Sequence, residues 1–110
     1  MTDETPLEIS VQDLNAMRTA GEPVTLLDVR EPHELAICKF DDSLDIPMRN
    51  VPENLEALRQ AERLVVVCHS GMRSWQVTQF LRQQGIARVS NLAGGIDGWA
   101  REIDPAMPTY

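Results

Sequence analysis

The stretch VVVCHSGMRSW, residues 65–75, places a cysteine where an apolar run gives way to a polar loop. A buried-strand pattern precedes Cys68 and a helical pattern starts near Ser74, so Cys68 stands at a strand-to-helix junction. A structural thiol would suit the middle of the apolar run, where it would pack as a small hydrophobic side chain. At the edge of a strand a thiol can meet a ligand, so we predict that Cys68 is a nucleophile.

The loop after Cys68 is suited to binding a negatively charged group. Gly71 allows a positive φ, Arg73 adds positive charge, and the curled backbone amides would form an anion-binding nest before a helix N-terminus. These features favour the thiolate, which is the reactive form of cysteine. The predicted substrate-binding loop comprises His69, Ser70, Gly71, Met72, Arg73 and Ser74. The simpler alternative is an ordinary strand-to-helix turn.

Two chemistries use a cysteine held in this way. One is sulfur transfer, in which the thiolate takes a sulfane sulfur and becomes a persulfide. The other is hydrolysis of a phosphate ester through a phosphocysteine. Only four residues, 69–72, separate Cys68 from Arg73, and this loop is shorter than that of phosphate-transferring cysteines. The smaller cradle suits a single sulfur atom better than a tetrahedral phosphate.

The elements that must position this loop are strands and helices in alternation. Such alternation predicts an α/β fold, with a mostly parallel sheet of about five strands and helices on both faces. Strand patterns lie at Ile9, 25–29, 43–46, 64–67 and 89–92. Five helical patterns are present. The first is capped by Ser10, the second has Pro32 at its first position and covers 33–39, and the third starts with an Asn50–Glu53 capping box. The fourth starts near Ser74, and the fifth starts before Ile96. We expect one domain over residues 1–110, with a core at about 7–103 and a proline-containing tail, 104–110, over the surface.

Polar and glycine residues follow three of these strands, at the edge where α/β proteins bind ligands. They are the segments 28–30, 68–74 and 93–95. Asp28 and Arg30 are predicted to form a charge pair that braces the site, with Glu31 or Glu34 as a further partner. Arg73 has two roles open to it, since it can steer an anionic donor or pair with a carboxylate.

Other side chains near the loop also have two interpretations. Trp75 with Met72 would form an apolar lip that docks a protein acceptor, or Trp75 covers its own sheet edge. His69 either handles acceptor protons or is an exposed loop residue. Cys38 is expected to be a small buried residue, and its rival role is a resolving thiol that attacks the Cys68 persulfide.

Composition and charge exclude several classes of protein. The net charge of −7 argues against nucleic-acid binding, which favours a basic surface. No apolar run approaches membrane-spanning length, and the acidic start does not resemble a secretory signal, so we expect a cytoplasmic protein with no membrane partner. Two cysteines and two histidines match no metal-binding spacing, so no metal site is expected.

Three motifs in order resemble the rhodanese family of sulfurtransferases in its single-domain form. They are LLDVREPHE at 26–34, CHSGMRS at 68–74 and NLAGGIDGW at 91–99. The resemblance implies that Cys68 takes sulfur from a donor such as thiosulfate or a persulfide. It implies transfer of that sulfur to a thiol, cyanide or protein acceptor, with no cofactor. The alternative is a sulfur carrier or regulatory binding module of the same fold that does not turn over.

Two departures from the family pattern bear on the substrate and the local backbone. Members that prefer thiosulfate tend to carry cationic residues after the cysteine, whereas this chain has His69 and Ser70. Thiosulfate is therefore expected to be a poor donor. Where the family often reads GHIPGA, this chain has CKFDDS at 38–43, so Cys38 replaces a glycine.

Overall fold

The computed structural model describes residues 4–110, which form a five-stranded sheet with helices on both faces. The strands lie in the order β1-β5-β4-β2-β3, and every neighbouring pair is parallel. The predicted α/β class with its parallel sheet is therefore confirmed. The strands are β1 (Glu8–Ile9), β2 (Thr25–Asp28), β3 (Leu44–Asp45), β4 (Leu64–Val67) and β5 (Val89–Leu92).

Residues 4–110 also form five α-helices and one 3₁₀ helix, which lie between the strands except for the last α-helix. The 3₁₀ helix covers Met48–Asn54, where the sequence predicted a capping box. Pro52 lies inside this segment, and a proline has no N–H to donate to an α-helical hydrogen bond. The α-helices are α1 (Val11–Thr19), α2 (Pro32–Leu35), α3 (Leu55–Arg59), α4 (Met72–Gln83) and α5 (Gly95–Glu102).

Two apolar clusters fill the two faces of the sheet. One cluster joins the 3₁₀ helix, α3 and α4 to the sheet, through Val51, Leu58, Val77 and Leu81. The other joins α1 and α5 through Leu14, Ile96 and Trp99. All four residues of β4 are buried, since side chains from both layers cover that strand. β4 is thus a rigid support for the loop that leaves its carboxyl end.

The helix ends show which local signals decided the structure. The Ser10 cap forms as predicted, with reciprocal hydrogen bonds between Ser10 and Asp13. Pro32 begins α2 as expected, but the helix ends at Leu35 rather than continuing to residue 39. The Arg30 side chain hydrogen bonds the carbonyls of Glu34 and Cys38, so it ties the chain into a turn there.

Residues 104–110 lie over the surface as predicted, and hydrogen bonds also hold them to the fold. The Asp104 amide donates to the Trp99 carbonyl at 2.9 Å, and the Met107 amide donates to the Asp104 carbonyl at 3.1 Å. Met107 packs against the α1/α5 cluster, and Tyr110 reaches the edge of the sheet near Cys68. This segment is docked on the fold. Within residues 4–110, no helix is both long and apolar enough to cross a membrane.

Candidate active site

Cys68 follows the last residue of β4, and the residue is only 1% exposed. The Gly71 amide donates a hydrogen bond to its Sγ at 3.1 Å, and Ser74 Oγ lies 3.2 Å from the same sulfur. An amide donor and a hydroxyl suit a sulfur that carries negative charge. The 68–74 loop therefore curls around the thiol as the sequence predicted, while the catalytic role of Cys68 stays a prediction.

Gly71 has the left-handed backbone that this curl requires, with a φ of +108°. A Cβ at this position would lie 3.3 Å from the Leu92 carbonyl oxygen, so the loop also packs tightly on the end of β5. The Asn91 side-chain amide donates to the Gly71 carbonyl at 3.1 Å. The Gly71 carbonyl is thus held from behind, and α4 starts at Met72, two residues earlier than predicted.

The N-terminus of α5 fixes the loop from the other side. The Ile96 amide donates to the Cys68 carbonyl at 2.9 Å, and the Asp97 amide donates to the His69 carbonyl at 3.0 Å. Gly95 makes this approach possible, because a Cβ there would lie 2.6 Å from the Cys68 carbonyl oxygen. The predicted convergence of segments 68–74 and 93–95 is therefore present in the structure.

Arg73 pairs with a carboxylate, one of the two roles that the sequence left open. Its guanidinium donates two hydrogen bonds to Glu34 of α2, at 2.8 Å and 2.9 Å. The hydrogen bonds from Arg73 outweigh burial and hold the pKa of the Glu34 carboxyl down at about 2. The positive charge of Arg73 is therefore already balanced beside Cys68.

Asp28 and Arg30 form the predicted charge pair, and both side chains are fully buried. Arg30 Nη2 donates to Asp28 Oδ2 at 2.8 Å, and its Nε contacts both oxygens of that carboxylate. Burial opposes the charged form of Arg30, but hydrogen bonds to Asp28 and Tyr110 outweigh it and raise the pKa of Arg30. Of the two further partners predicted, Glu34 bonds Arg30 through its backbone carbonyl, whereas the Glu31 side chain pairs with Arg49.

Tyr110 joins this site although no sequence motif marks it as part of one. Its hydroxyl donates to Glu34 Oε2 at 2.8 Å and accepts from Arg30 Nη1 at 3.0 Å. Its ring centroid lies 4.3 Å from that of His69. Partial burial raises the pKa of the Tyr110 hydroxyl to about 12, so the hydroxyl keeps its proton. The sole sequence signal is that the chain has a single tyrosine.

The remaining predicted residues lie around this centre. Met72 is 75% exposed and Trp75 is half-buried, so the proposed apolar lip consists mainly of Met72. Ser70 is exposed, and His69 is half-buried with its Nδ1 atom buried and unpaired in the described part of the chain. Cys38 is a buried free thiol, as expected of a small apolar residue. The docking role of Trp75 and the resolving role of Cys38 stay predictions.

No metal chemistry is suggested by the arrangement of these side chains. Among residues 4–110, no three histidine, cysteine, aspartate or glutamate side chains are grouped so that they could hold an ion. The site instead offers one buried sulfur, one amide donor, one hydroxyl and a balanced set of charges. Such a site is suited to nucleophilic chemistry at the sulfur.

Comparison with known proteins gives a consistent result. The family model of the rhodanese-like domain matches residues 10–102. A sulfurtransferase of Allochromatium vinosum is 39% identical over 100 residues, covering 91% of this chain and 94% of that protein. The putative sulfurtransferase YtwF of Bacillus subtilis is 38% identical, covering 89% and 94%. The human single-domain sulfurtransferase TSTD1 superposes with a TM-score of 0.78 at 27% identity, covering 88% and 97%.

Proposed function

The chain belongs to the rhodanese-like domain family, and from this we propose that it transfers a sulfane sulfur through a persulfide on Cys68. Its sulfurtransferase relatives make it a sulfurtransferase of the rhodanese type in general. The finer proposal covers the intermediate, the donor and the acceptor. We also propose that it works as one domain without a cofactor, and two free thiols fit a reducing compartment such as the cytoplasm.

The proposed reaction has two steps. In the first, the Cys68 thiolate attacks the outer sulfur of the donor, and the sulfur–sulfur bond of the donor breaks. The donor's remaining part leaves with the electron pair, as a thiolate from a persulfide or as sulfite from thiosulfate. In the second, a thiol, cyanide or protein thiolate attacks the outer sulfur of the persulfide. The bond between that sulfur and Cys68 breaks, and the Cys68 thiolate is restored.

One observation carries this proposal: the Gly71 amide and the Ser74 hydroxyl both lie within hydrogen-bonding distance of Cys68 Sγ. Preorganised donors of this kind stabilise a negatively charged sulfur before and after transfer. They require no movement of the loop, because the carbonyls of Cys68, His69 and Gly71 are each held by a hydrogen bond. The loop between Cys68 and Arg73 has four residues, fewer than in phosphate-transferring cysteines, which argues against a tetrahedral phosphate.

The charges around Cys68 support a persulfide donor over thiosulfate. Thiosulfate carries two negative charges, and its binding would benefit from an unpaired cation. Here Arg73 pairs with Glu34 and Arg30 pairs with Asp28. Residues 69–72, between Cys68 and Arg73, include no lysine or arginine. We therefore propose an organic persulfide, carried by a small thiol or a protein, as the better donor.

Intact mass after incubation with a donor tests the proposal. We expect wild type to gain the mass of one sulfur from glutathione persulfide, and less from thiosulfate at equal concentration. Cyanide or dithiothreitol should remove that mass. Cys68→Ser should gain none, and Cys38→Ser should gain as much as wild type, because Cys38 lies outside the cradle. A wild type that gains no sulfur from any donor would contradict the proposal and favour a binding module that does not turn over.

A further inference from the structure

The segment Asp104–Tyr110, which we call the strap, runs from the end of α5 back to the loop at residues 68–74, which we call the active loop. It is fixed first by the Asp104 amide on Trp99 and then by Met107, which packs against the α1/α5 cluster. Beyond Met107 all three residues of the strap, 108–110, are exposed. The strap therefore has a firm anchor at one end and a single contacting side chain at the other.

Tyr110 contacts the site through both its ring and its hydroxyl. The ring lies against His69, the residue directly after Cys68, with centroids 4.3 Å apart. The hydroxyl bridges Glu34 and Arg30, at 2.8 Å and 3.0 Å. Glu34 is also the partner of Arg73 at the far end of the active loop. One side chain thus touches residues that border both ends of the loop around Cys68.

The burial of Cys68 makes this position relevant to access. Cys68 is 1% exposed, while its chemistry requires that a donor and then an acceptor reach the sulfur in line with the breaking bond. Tyr110 itself is 40% exposed, so it lies at the surface, with its ring against His69, rather than in the core. Two hydrogen bonds, the ring contact with His69 and the Arg30 guanidinium, 5.9 Å from the ring centroid, hold the Tyr110 side chain. A side chain held at the surface by these contacts can leave without unfolding the sheet.

We propose that Tyr110 is a specificity-determining residue that limits the size of the molecules reaching Cys68. With Tyr110 in place, only slender reagents approach the sulfur beside His69. Bulky molecules react only from the fraction of the protein in which Tyr110 has swung away. For sulfur donors and acceptors this inference rests on the proposed function, but access to the thiol can be measured independently of sulfur transfer.

The test compares two reagents that share one reactive group. Cys68 is alkylated with iodoacetamide and with its fluorescein conjugate, and the rate at Cys68 is followed by mass spectrometry in a Cys38→Ser background. The ratio of the bulky to the small rate reports selection by size. We expect Tyr110→Ala to raise this ratio about tenfold, as when an open state of about 10% becomes fully populated. Thr109→Ala, at an exposed neighbouring position, should leave the ratio as it is.

Tyr110→Phe separates the ring from the hydroxyl. It keeps the ring contact with His69 and loses the bridge between Glu34 and Arg30, so its ratio should lie between those of the parent and Tyr110→Ala. A Tyr110→Ala ratio within about twofold of the parent overturns the proposal, and so does an equal acceleration of both reagents. If wild type forms no persulfide but the ratio rises as expected, the proposed function fails while the size limit stands.

Discussion

Two arginine–carboxylate pairs border Cys68, and they differ in burial and in the length of chain that they join. Arg30 and Asp28 are two residues apart, and both side chains are completely buried. Arg73 and Glu34 are 39 residues apart, and their side chains are 35% and 11% exposed. The first pair lies under the site edge, and the second lies beside the active loop at the surface.

The difference separates a requirement of the fold from a property of the site. A fully buried charge without its partner is strongly destabilising, so neither member of the Arg30–Asp28 pair can be lost alone. A partly exposed pair contributes less to stability, because water screens both charges. The Arg73–Glu34 pair can therefore change without loss of the fold. We expect the net charge of this pair to decide how strongly the site attracts an anionic donor.

Breaking the buried pair should give the largest effect. Arg30→Met leaves the Asp28 carboxylate buried without its partner and frees two carbonyls that Arg30 now holds. We expect the free energy of unfolding to fall by about 3–5 kcal/mol, measured by urea denaturation. The double variant Asp28→Asn/Arg30→Met should recover part of this loss, because it removes both charges. A loss below about 1 kcal/mol would make this pair no different from an exposed one.

Breaking the Arg73–Glu34 pair should lower the free energy of unfolding by less, and by an amount that depends on pH. Because the folded state holds the pKa of Glu34 at about 2, against an ordinary value of 4.5, the ionised carboxylate stabilises the fold. This stabilisation is complete above about pH 4.5 and is lost as the pH falls toward 2. At pH 6 we expect the free energy of unfolding of wild type to exceed that of Glu34→Gln by about 1–3 kcal/mol, after allowance for solvent screening of the partly exposed Arg73. Urea denaturation at pH 6, 4 and 3 checks the trend, and a difference that grows on acidification would contradict it.

Removing the partner of Arg73 should raise the activity of the protein with thiosulfate. Glu34→Gln removes one negative charge from the site and leaves Arg73 able to attract a dianion. We expect the kcat/KM for thiosulfate to rise roughly tenfold, with a smaller change for glutathione persulfide. Glu31→Gln is the matched control, because Glu31 pairs with the exposed Arg49 and does not contact Arg73. Equal gains in the two variants would mean that general surface charge, and not the pair, limits thiosulfate use.

Much of the fold and the local part of the site could be predicted from the sequence. Cys68, Gly71 and the Asp28–Arg30 pair are short-range features, since each acts on residues only a few positions away along the chain. The strand and helix alternation likewise depends on local apolar patterns, and it predicted the parallel sheet. The α2 helix was predicted too long because the Arg30 side chain, a tertiary partner, decides where that helix ends.

The long-range contacts could not be predicted in the same way. The partner of Arg73 depends on how α2 sits across the sheet, and a charge pattern alone leaves Glu31 and Glu34 equally available. Tyr110 bonds to Glu34 across 76 residues, and nothing near it in the chain marks it as part of a site. Such contacts depend on the packing of distant segments, which single-sequence patterns do not encode.

The hydrogen bonds between α5 and the active loop have a consequence for exchanging that loop between proteins. The Ile96 and Asp97 amides hold the carbonyls of Cys68 and His69, so the loop starts from two anchored peptide groups. A transplanted loop of another length would begin from the same two anchors and would have to absorb its extra residue after position 69. The recipient must also keep a residue without a side chain at Gly95, or the anchors are pushed apart. A graft of this loop into another protein should therefore transfer two segments together, 68–74 and 94–97, rather than the cysteine loop alone.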